Sequence, residues 1–191
     1  MKRADFEFLL AVGTLEPRKN YLGLIAAWEA LRLKSSRPVA LVLVGSPGWD
    51  NHAAVNAMRP WQLRGKLFHL SAVPPSEMRV LYGAAQAVVC PSVSEGFDLP
   101  SVEALRCGAA VAASDIPVHR ELLGDAALYF DPYSTDGIRD ALSALTADEG
   151  RRHDLRDKAV RQGAGFDRSV VEKQWEHVLD YCRANPPGAS R

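Results

Sequence analysis

The chain has 191 residues, 47% of them hydrophobic and 24% charged, which is the composition of a folded globular protein with one substantial core. Lys and Arg together number 23, as do Asp and Glu, so the formal net charge of zero gives no reason to expect a nucleic-acid partner. No apolar run approaches the roughly 20 residues of a membrane span, and the N-terminus lacks the pattern of a signal peptide.

Apolar runs alternate with segments of helical periodicity along the chain. Strands are predicted at residues 6–12, 39–44, 67–70, 87–90, 109–113 and 127–130. Helices are predicted at 21–31, 50–64, 76–85, 117–123 and 134–183, the last interrupted near 163–165. A further helix is predicted to start at Pro100, because proline is tolerated at the first helical position. Asn20 and Ser76 are expected to cap the helices that follow them, and Trp175 and Tyr181 are expected to pack.

This alternation predicts an α/β fold, a doubly wound parallel sheet of the Rossmann-like type with right-handed crossovers. Ligands of such sheets bind at the carboxyl ends of the strands. The loops of interest are therefore those that follow strands, at residues 14–20, 45–49, 71–75 and 91–99. In the second of them, Gly45 and Gly48 are interpreted as turn residues rather than as phosphate contacts.

The cysteines and histidines do not indicate a metal site. The three cysteines are odd in number and not closely spaced, which argues against a disulfide framework or a zinc site. Cys90 and Cys107 lie in apolar contexts and are predicted to be core residues. The five histidines show no ligand spacing, and His119 is interpreted as structural although it lies near the loops of interest.

The loop before Pro100 is predicted to bind an anion. A helix start presents unpaired backbone N–H groups and the positive end of its dipole, and Gly96 allows close approach. Glu95 and Glu103, eight positions apart, frame this loop, and Asp98 adds a third acid. Carboxylates beside a phosphate site can accept hydrogen bonds from sugar hydroxyls, so the pattern favours a sugar nucleotide.

Residues 95–104 read EGFDLPSVEA. This stretch resembles the E-x7-E motif of the retaining glycosyltransferases of family 4, usually written E-G-F-x-L-P-x-x-E-A. Pro91-Ser92 and the segment from Gly108 to Ser114 fit the same pattern, and the resemblance extends over nearly the whole chain. It implies that residues 1–185 are the nucleotide-sugar (donor) binding domain, the C-terminal half of a GT-B glycosyltransferase. Residues 186–191, which follow the last predicted helix, are expected to be a disordered tail.

The resemblance also implies a partner. Family 4 enzymes have two Rossmann-like domains, and the N-terminal, acceptor-binding domain is absent from this chain. The terminal helix of these enzymes packs back onto that domain, so part of it is expected here to be apolar and uncovered. We expect a cytoplasmic location, with peripheral contact to the inner face of a membrane only through the absent domain. We also expect the isolated chain to be inactive.

By this resemblance the motif residues have assigned roles. Glu103 matches the residue that accepts hydrogen bonds from the ribose hydroxyls. Glu95 matches the catalytic residue that contacts the transferred sugar or supports its developing positive charge. The backbone after Glu95 is expected to meet the sugar or its phosphate, at Gly96, Phe97, Asp98 and Leu99.

Arg18 and Lys19 follow the first strand, at the same predicted sheet edge as Glu95. Adjacent cations can neutralise a diphosphate, Arg as a planar fork and Lys as a point charge. The resemblance implies that Lys19 contacts the donor phosphates. Many family members have Arg directly after the glycine that ends the first strand, where this chain has Thr14 after Gly13. Both residues belong to the expected donor site, but this departure moves the expected phosphate contact toward Arg18.

Three further cues concern the donor and its chemistry. Residues 16–20 read EPRKN, which is similar to mannosyltransferase-like members and makes GDP-mannose a candidate donor. Val73 lies where the family places the nucleotide base against backbone. Many glycosyltransferases hold a divalent metal with Asp-x-Asp, which this sequence lacks, so we expect no metal and no cofactor. The helix start and the two cations would then stabilise the leaving diphosphate.

Other activities stay open at this point. A glycosidase could use Glu95 and Glu103 as acid and nucleophile, with carboxyl groups about 5 or 6.5–9.5 Å apart. A sugar-nucleotide epimerase could share the two-domain fold. A non-catalytic sugar-nucleotide-binding or docking module could use the fold only to hold another subunit. A nicotinamide-dependent enzyme is disfavoured, because no G-x-G-x-x-G follows Val12.

Overall fold

The structure, a computed structural model, describes residues 6–35 and 38–185; the tail predicted at 186–191 lies outside the described residues. The strands are β1 Phe8–Val12, β2 Ala40–Val44, β3 Leu67–Leu70, β4 Ala87–Cys90, β5 Val111–Ser114 and β6 Ala127–Phe130. The helices are α1 Tyr21–Lys34, α2 His52–Leu63, α3 Pro75–Ala84, α4 Leu99–Arg106, α5 Pro117–Leu123, α6 Thr135–Ala147, α7 Glu149–Gly163 and α8 Arg168–Ala184. The predicted order of strands and helices is confirmed up to residue 134. The helical stretch predicted at 134–183 is interrupted near 163–165 as expected, but it is also divided at Asp148, whose side chain caps α7 by accepting from the Arg151 N–H.

The strands form one parallel sheet in the order β3-β2-β1-β4-β5-β6. The strand order reverses between β1 and β4, so the loops that follow these two strands open onto the same crevice. The predicted doubly wound α/β fold is confirmed, and the loop with Arg18 and the loop with Glu95 both lie at this point.

Side chains on both faces of the sheet are buried. Leu9 and Ala11 of β1 belong to one core, while Phe8 and Leu10 belong to the other, as expected for a strand whose side chains alternate between faces. The first core takes residues of α1, α2 and α6, and the second takes residues of α3, α4 and α5. Helices thus cover both faces of the sheet and leave its carboxyl edge to the loops.

Neither predicted helix cap is present. Asn20 has a left-handed backbone (φ 53°) and makes no side-chain cap; its Nδ2 donates instead to the carbonyl of Pro132 at 2.8 Å. This bond joins the loop after β1 to the loop after β6, which a local capping rule does not consider. Ser76 is wrong as a cap because α3 already begins at Pro75.

Helix α8 has an uncovered apolar side. Trp175 is 63% exposed and Tyr181 is 65% exposed, so the prediction that they pack is wrong for the described residues. Val178 and Leu179 are about half exposed beside them. This agrees with the expectation that part of the terminal helix is apolar and uncovered. None of the helices in the described residues is long and apolar enough to cross a membrane.

The loop after β2 packs on the loop after β1, which explains two glycines. A Cβ atom on Gly45 would lie 1.9 Å from the carbonyl oxygen of Gly13, and one on Gly48 would lie 2.7 Å from that of Leu15. Leu15 also forms an isolated parallel bridge with Pro47. Both glycines therefore allow the backbones of the two loops to approach closely, a packing role that differs from the predicted turn.

We expect Gly45→Ala to lower the free energy of unfolding by roughly 2–3 kcal/mol, because the new methyl group would overlap backbone that cannot turn aside. Gly83→Ala is the control: its Cβ has no neighbour within 4 Å, and alanine in a helix should stabilise by about 0.5–1 kcal/mol. Urea unfolding of the two variants measures both effects. Equal stability of the two variants would contradict the assigned contact.

Candidate functional site

Lys19 lies at the centre of the site, in a single 3₁₀ turn, Pro17–Lys19, that follows β1. The residue is only 8% exposed. Gly13 provides the space for its side chain, because a Cβ there would lie 3.0 Å from Lys19 Cε. Gly13 also has φ +147°, a value that favours glycine. The turn therefore delivers an ammonium group into the crevice between β1 and β4.

Two carboxylates face this ammonium group. Lys19 Nζ lies 2.7 Å from Glu95 Oε1 and 3.2 Å from Asp98 Oδ1. Burial opposes charging of Lys19, but the hydrogen bonds and charges of the two acids outweigh it and raise its pKa. Burial likewise tends to raise the pKa of Glu95, and contacts led by Lys19 lower it overall. The Lys19 ammonium group and the Glu95 carboxylate thus hold each other in their charged forms.

Arg18 connects the two loops from the outer side. Its guanidinium donates to Glu95 Oε2, to the carbonyl of Ser94 at 2.9 Å, and to Glu16 at 2.6 Å. Behind it, the Val93 N–H donates to the Arg18 carbonyl at 2.9 Å. The Glu95 carboxylate is therefore shared between Arg18 and Lys19, and its side chain is only 5% exposed.

The Asp98 carboxylate points into the protein rather than toward a ligand. Asp98 has a left-handed backbone (φ 64°), which is uncommon outside glycine. Its Oδ2 lies 3.3 Å from Nε2 of His119, whose Nδ1 lies 2.9 Å from the carbonyl of Ser114. Burial tends to raise the pKa of Asp98, but His119 and Lys19 lower it. Only the Asp98 backbone is left for the predicted donor contact.

The start of α4 is open, as the sequence predicted. Within residues 6–35 and 38–185, the N–H groups of Phe97, Asp98 and Leu99 have no backbone acceptor. A Cβ on Gly96 would meet nothing within 4 Å, and the side chains of Phe97 and Leu99 are exposed. Unpaired N–H groups at a helix start, the buried Lys19 ammonium group, the part-exposed Arg18 guanidinium and the open space beside them form a site that suits an anion.

Glu103 lies one turn into α4 and is exposed. Its Oε2 accepts a hydrogen bond from the hydroxyl group of Tyr82 at 2.8 Å. Tyr82 is buried in the second core, so the carboxylate is anchored on one side and open on the other. An anchored, exposed carboxylate beside an anion site can accept hydrogen bonds from a diol.

The remaining predicted residues line the same edge with different roles. The Gly13 N–H donates to Val44 and its carbonyl accepts from Tyr21, so this backbone is already occupied and Gly13 contributes space. Thr14 is exposed beside it. Val73 is half-buried and packs against the second core. Donor contacts by these three residues stay predictions.

Sequence reasoning missed Tyr82, and it treated His119 as structural. The loop after β5 leads to His119 at the same sheet edge, so topology could have placed this histidine near Asp98. Tyr82 gave a weaker signal, because an aromatic residue in a predicted helix is usually interpreted as a core residue.

No group of three or more His, Cys, Asp and Glu side chains in the part of the chain that the structure describes could hold a metal ion.

Comparison with known families identifies the chain. A family model described as glycosyl transferases group 1 matches residues 2–162. The chain belongs to this family. The match covers the loop after β1, the E-x7-E motif and the sheet, so the elements that build the site are those shared with the group 1 family.

Curated relatives of this group 1 chain are glycosyltransferases. The chain is 33% identical over 159 residues to an O-antigen chain mannosyltransferase B of Escherichia coli, covering 83% of this chain and 42% of that protein. It is 30% identical over 176 residues to a D-inositol 3-phosphate glycosyltransferase of Nocardia farcinica, covering 88% of this chain and 38% of that protein. The chain thus spans less than half the length of these relatives.

Solved structures with the same fold are also larger proteins. The sucrose-phosphate synthase of Thermosynechococcus elongatus superposes with a TM-score of 0.82 at 22% identity, over 94% of this chain and 46% of that one. A trehalose-phosphate synthase of Burkholderia vietnamiensis gives a TM-score of 0.75 at 15% identity, over 93% and 46%. The fold is therefore the Rossmann-like domain of GT-B glycosyltransferases, as predicted.

Proposed function

We propose that this chain is the donor-binding, C-terminal domain of a retaining glycosyltransferase that binds a nucleoside-diphosphate sugar, with GDP-mannose the leading candidate. The observation that carries this proposal is the open start of α4 beside Lys19 and Arg18. The N–H groups of Phe97, Asp98 and Leu99 would receive the diphosphate or the sugar, and Glu103 would hold the ribose. The similarity to mannosyltransferases supports the choice of sugar.

The chemistry follows from the charge that develops during transfer. Breaking the bond between sugar and diphosphate places negative charge on the leaving group, and fixed donors lower the barrier when they meet that charge. Lys19 and Arg18 are such donors, and ion pairs with Glu95, Asp98 and Glu16 fix their positions. We propose that they stabilise the leaving diphosphate without a metal ion, and that the Glu95 carboxylate turns from these two cations toward the sugar when the diphosphate binds.

The second domain is part of this proposal. Helix α8 has an exposed apolar side that includes Trp175 and Tyr181, and the relatives are more than twice as long as the matched segment. We infer that an acceptor-binding domain covers this side of α8 and completes the cleft. The isolated chain should then bind the donor but transfer no sugar.

Calorimetry on the chain tests the proposal, with GDP-mannose, UDP-glucose, GDP and UDP as ligands. Binding of at least one nucleoside diphosphate with a dissociation constant below about 1 mM, some −4 kcal/mol, is expected. Absence of binding by all four at millimolar concentration would overturn it. Hydrolysis of an aryl glycoside by the chain would instead favour the glycosidase.

Glu95 gives a prediction with an unusual sign. Its carboxylate contacts Arg18 and Lys19, the two cations that would bind the diphosphate. Glu95→Gln removes that competing charge, worth about 1 kcal/mol or more at such distances, so GDP should bind roughly fivefold more tightly. GDP-mannose should gain less, because the sugar loses its carboxylate partner.

The control for this variant is Glu172→Gln, which removes a similar Arg–Glu pair, with Arg168, on the exposed surface of α8. It should change neither affinity. If Glu95→Gln weakens GDP binding, Glu95 acts mainly to hold Arg18 and Lys19 in position. The claim that its carboxylate competes with the diphosphate for these cations would then be wrong.

A further inference from the structure

Tyr82 differs from the rest of its helix. It is the one buried residue of α3, with 2% exposure, and its ring lies in the second core beside residues of α4. Its hydroxyl group reaches Glu103 Oε2 at 2.8 Å. A core aromatic residue thus ends in a polar contact with an exposed carboxylate at the candidate site.

The direction of this hydrogen bond is fixed. Burial and then the bond to Glu103 raise the pKa of Tyr82, so its hydroxyl keeps its proton and donates. A carboxylate is an acceptor with about four lone-pair sites, and Tyr82 uses one of them on Oε2. Among the described residues no hydrogen bond engages the other oxygen of Glu103, so it can meet a ligand on the face of α4 that Leu99 shares one turn earlier.

The hydrogen bond from Tyr82 fixes the position of the Glu103 carboxylate, and a fixed carboxylate can distinguish ligands by where their hydroxyl groups lie. A free glutamate side chain samples several rotamers, and ordering it on binding opposes association. Glu103 is already held by a donor that is itself fixed in the core. We propose that Tyr82 is a positioning residue, which aims Glu103 at the ribose diol and sets the preference for ribonucleotides over 2′-deoxyribonucleotides. This inference rests on the proposed function.

Tyr82→Phe tests it, because the ring stays in the core and only the hydroxyl group is removed. The first ligand is GDP or UDP, whichever binds the wild-type chain more tightly, and the second is the 2′-deoxy form of the same nucleotide. Calorimetry measures the affinity of each. The wild-type chain should prefer the ribonucleotide by about tenfold or more. The variant should bind the ribonucleotide roughly three- to tenfold more weakly and the deoxy analogue almost unchanged.

Two further variants separate positioning from general stability. Tyr129→Phe removes a hydroxyl that donates to the carbonyl of Gly124 at 2.7 Å, and it should leave the ribose preference intact. In a Glu103→Ala background, Tyr82→Phe should cause no further loss. Equal weakening of both ligands by Tyr82→Phe, no weakening at all, or additive losses with Glu103→Ala would each overturn the role of Tyr82. A wild-type chain that binds neither nucleotide would instead overturn the proposed function.

Discussion

Replacing Lys19 with methionine should lower the free energy of unfolding by about 3 kcal/mol and weaken nucleoside-diphosphate binding by roughly a hundredfold. Methionine keeps the length of the side chain but removes the charge that pairs with Glu95 and Asp98. Both carboxylates are nearly inaccessible to water, so they cannot replace the ammonium group by hydration. Urea unfolding and calorimetry with GDP and UDP measure the two effects.

Lys158→Met is the matched control. Lys158 also lies near two carboxylates, 3.0 Å from Asp154 and 3.7 Å from Asp125, but these pairs lie at the surface. Exposed ion pairs contribute little, so this variant should unfold at nearly the wild-type urea concentration and bind ligand normally. If Lys19→Met and Lys158→Met change stability and affinity equally, then the buried ion pairs of Lys19 contribute no more than exposed ones, and the prediction is wrong.

The effect of Lys19→Met on stability should depend on pH. Glu95 and Asp98 have folded-state pKa values below the ordinary range, so their pairing stabilises the fold above the unfolded pKa, about 4, and is lost as the pH falls through the folded values. The variant lacks this stabilisation near neutral pH. The difference from wild type should therefore be largest at pH 7 and shrink in acid; a constant difference down to pH 3 would contradict the assignment.

The fold could be predicted from the sequence because the spacing of hydrophobic residues and the positions of turn-forming Gly and Pro residues indicate the same elements along the chain. A continuous apolar run such as Val39 to Val44, rich in β-branched residues and followed by Gly45, favours a strand buried on both faces, and β2 is buried throughout. Predictions of single contacts failed where a side chain bonds to a residue that is distant in the sequence. Asn20 looked like a cap, yet its amide bonds to Pro132, more than a hundred positions away in the sequence.

The location of the candidate site could be predicted from the sequence, but the hydrogen bonds and ion pairs among its side chains could not. Topology places the loops with Lys19 and Glu95 together, and the helix start follows from Pro100. The sequence pattern cannot show that the Glu95 carboxylate is already shared by both cations, or that the Asp98 carboxylate turns inward to His119. Both arrangements depend on side-chain packing between loops that are distant in sequence.

Glu103→Ala should weaken nucleoside-diphosphate binding by about 1–3 kcal/mol, roughly 5- to 150-fold, the range for hydrogen bonds to a charged group. Inorganic pyrophosphate should bind the variant as well as it binds the wild-type chain, or slightly better, because Glu103 would contact the ribose in the proposed site and contribute only repulsion to the phosphates. Calorimetry with GDP, UDP and pyrophosphate measures this split.

The split separates a ribose contact from a general effect on the site. Glu176→Ala removes an exposed carboxylate from α8 and should change none of the three affinities. Loss of the Tyr82 acceptor will also lower stability by about 1–2 kcal/mol, so affinities are compared at temperatures where the variant is fully folded. If pyrophosphate binding falls as far as GDP binding, Glu103 supports the loop and α4 start rather than the ribose. Retained GDP affinity would remove it from the site altogether.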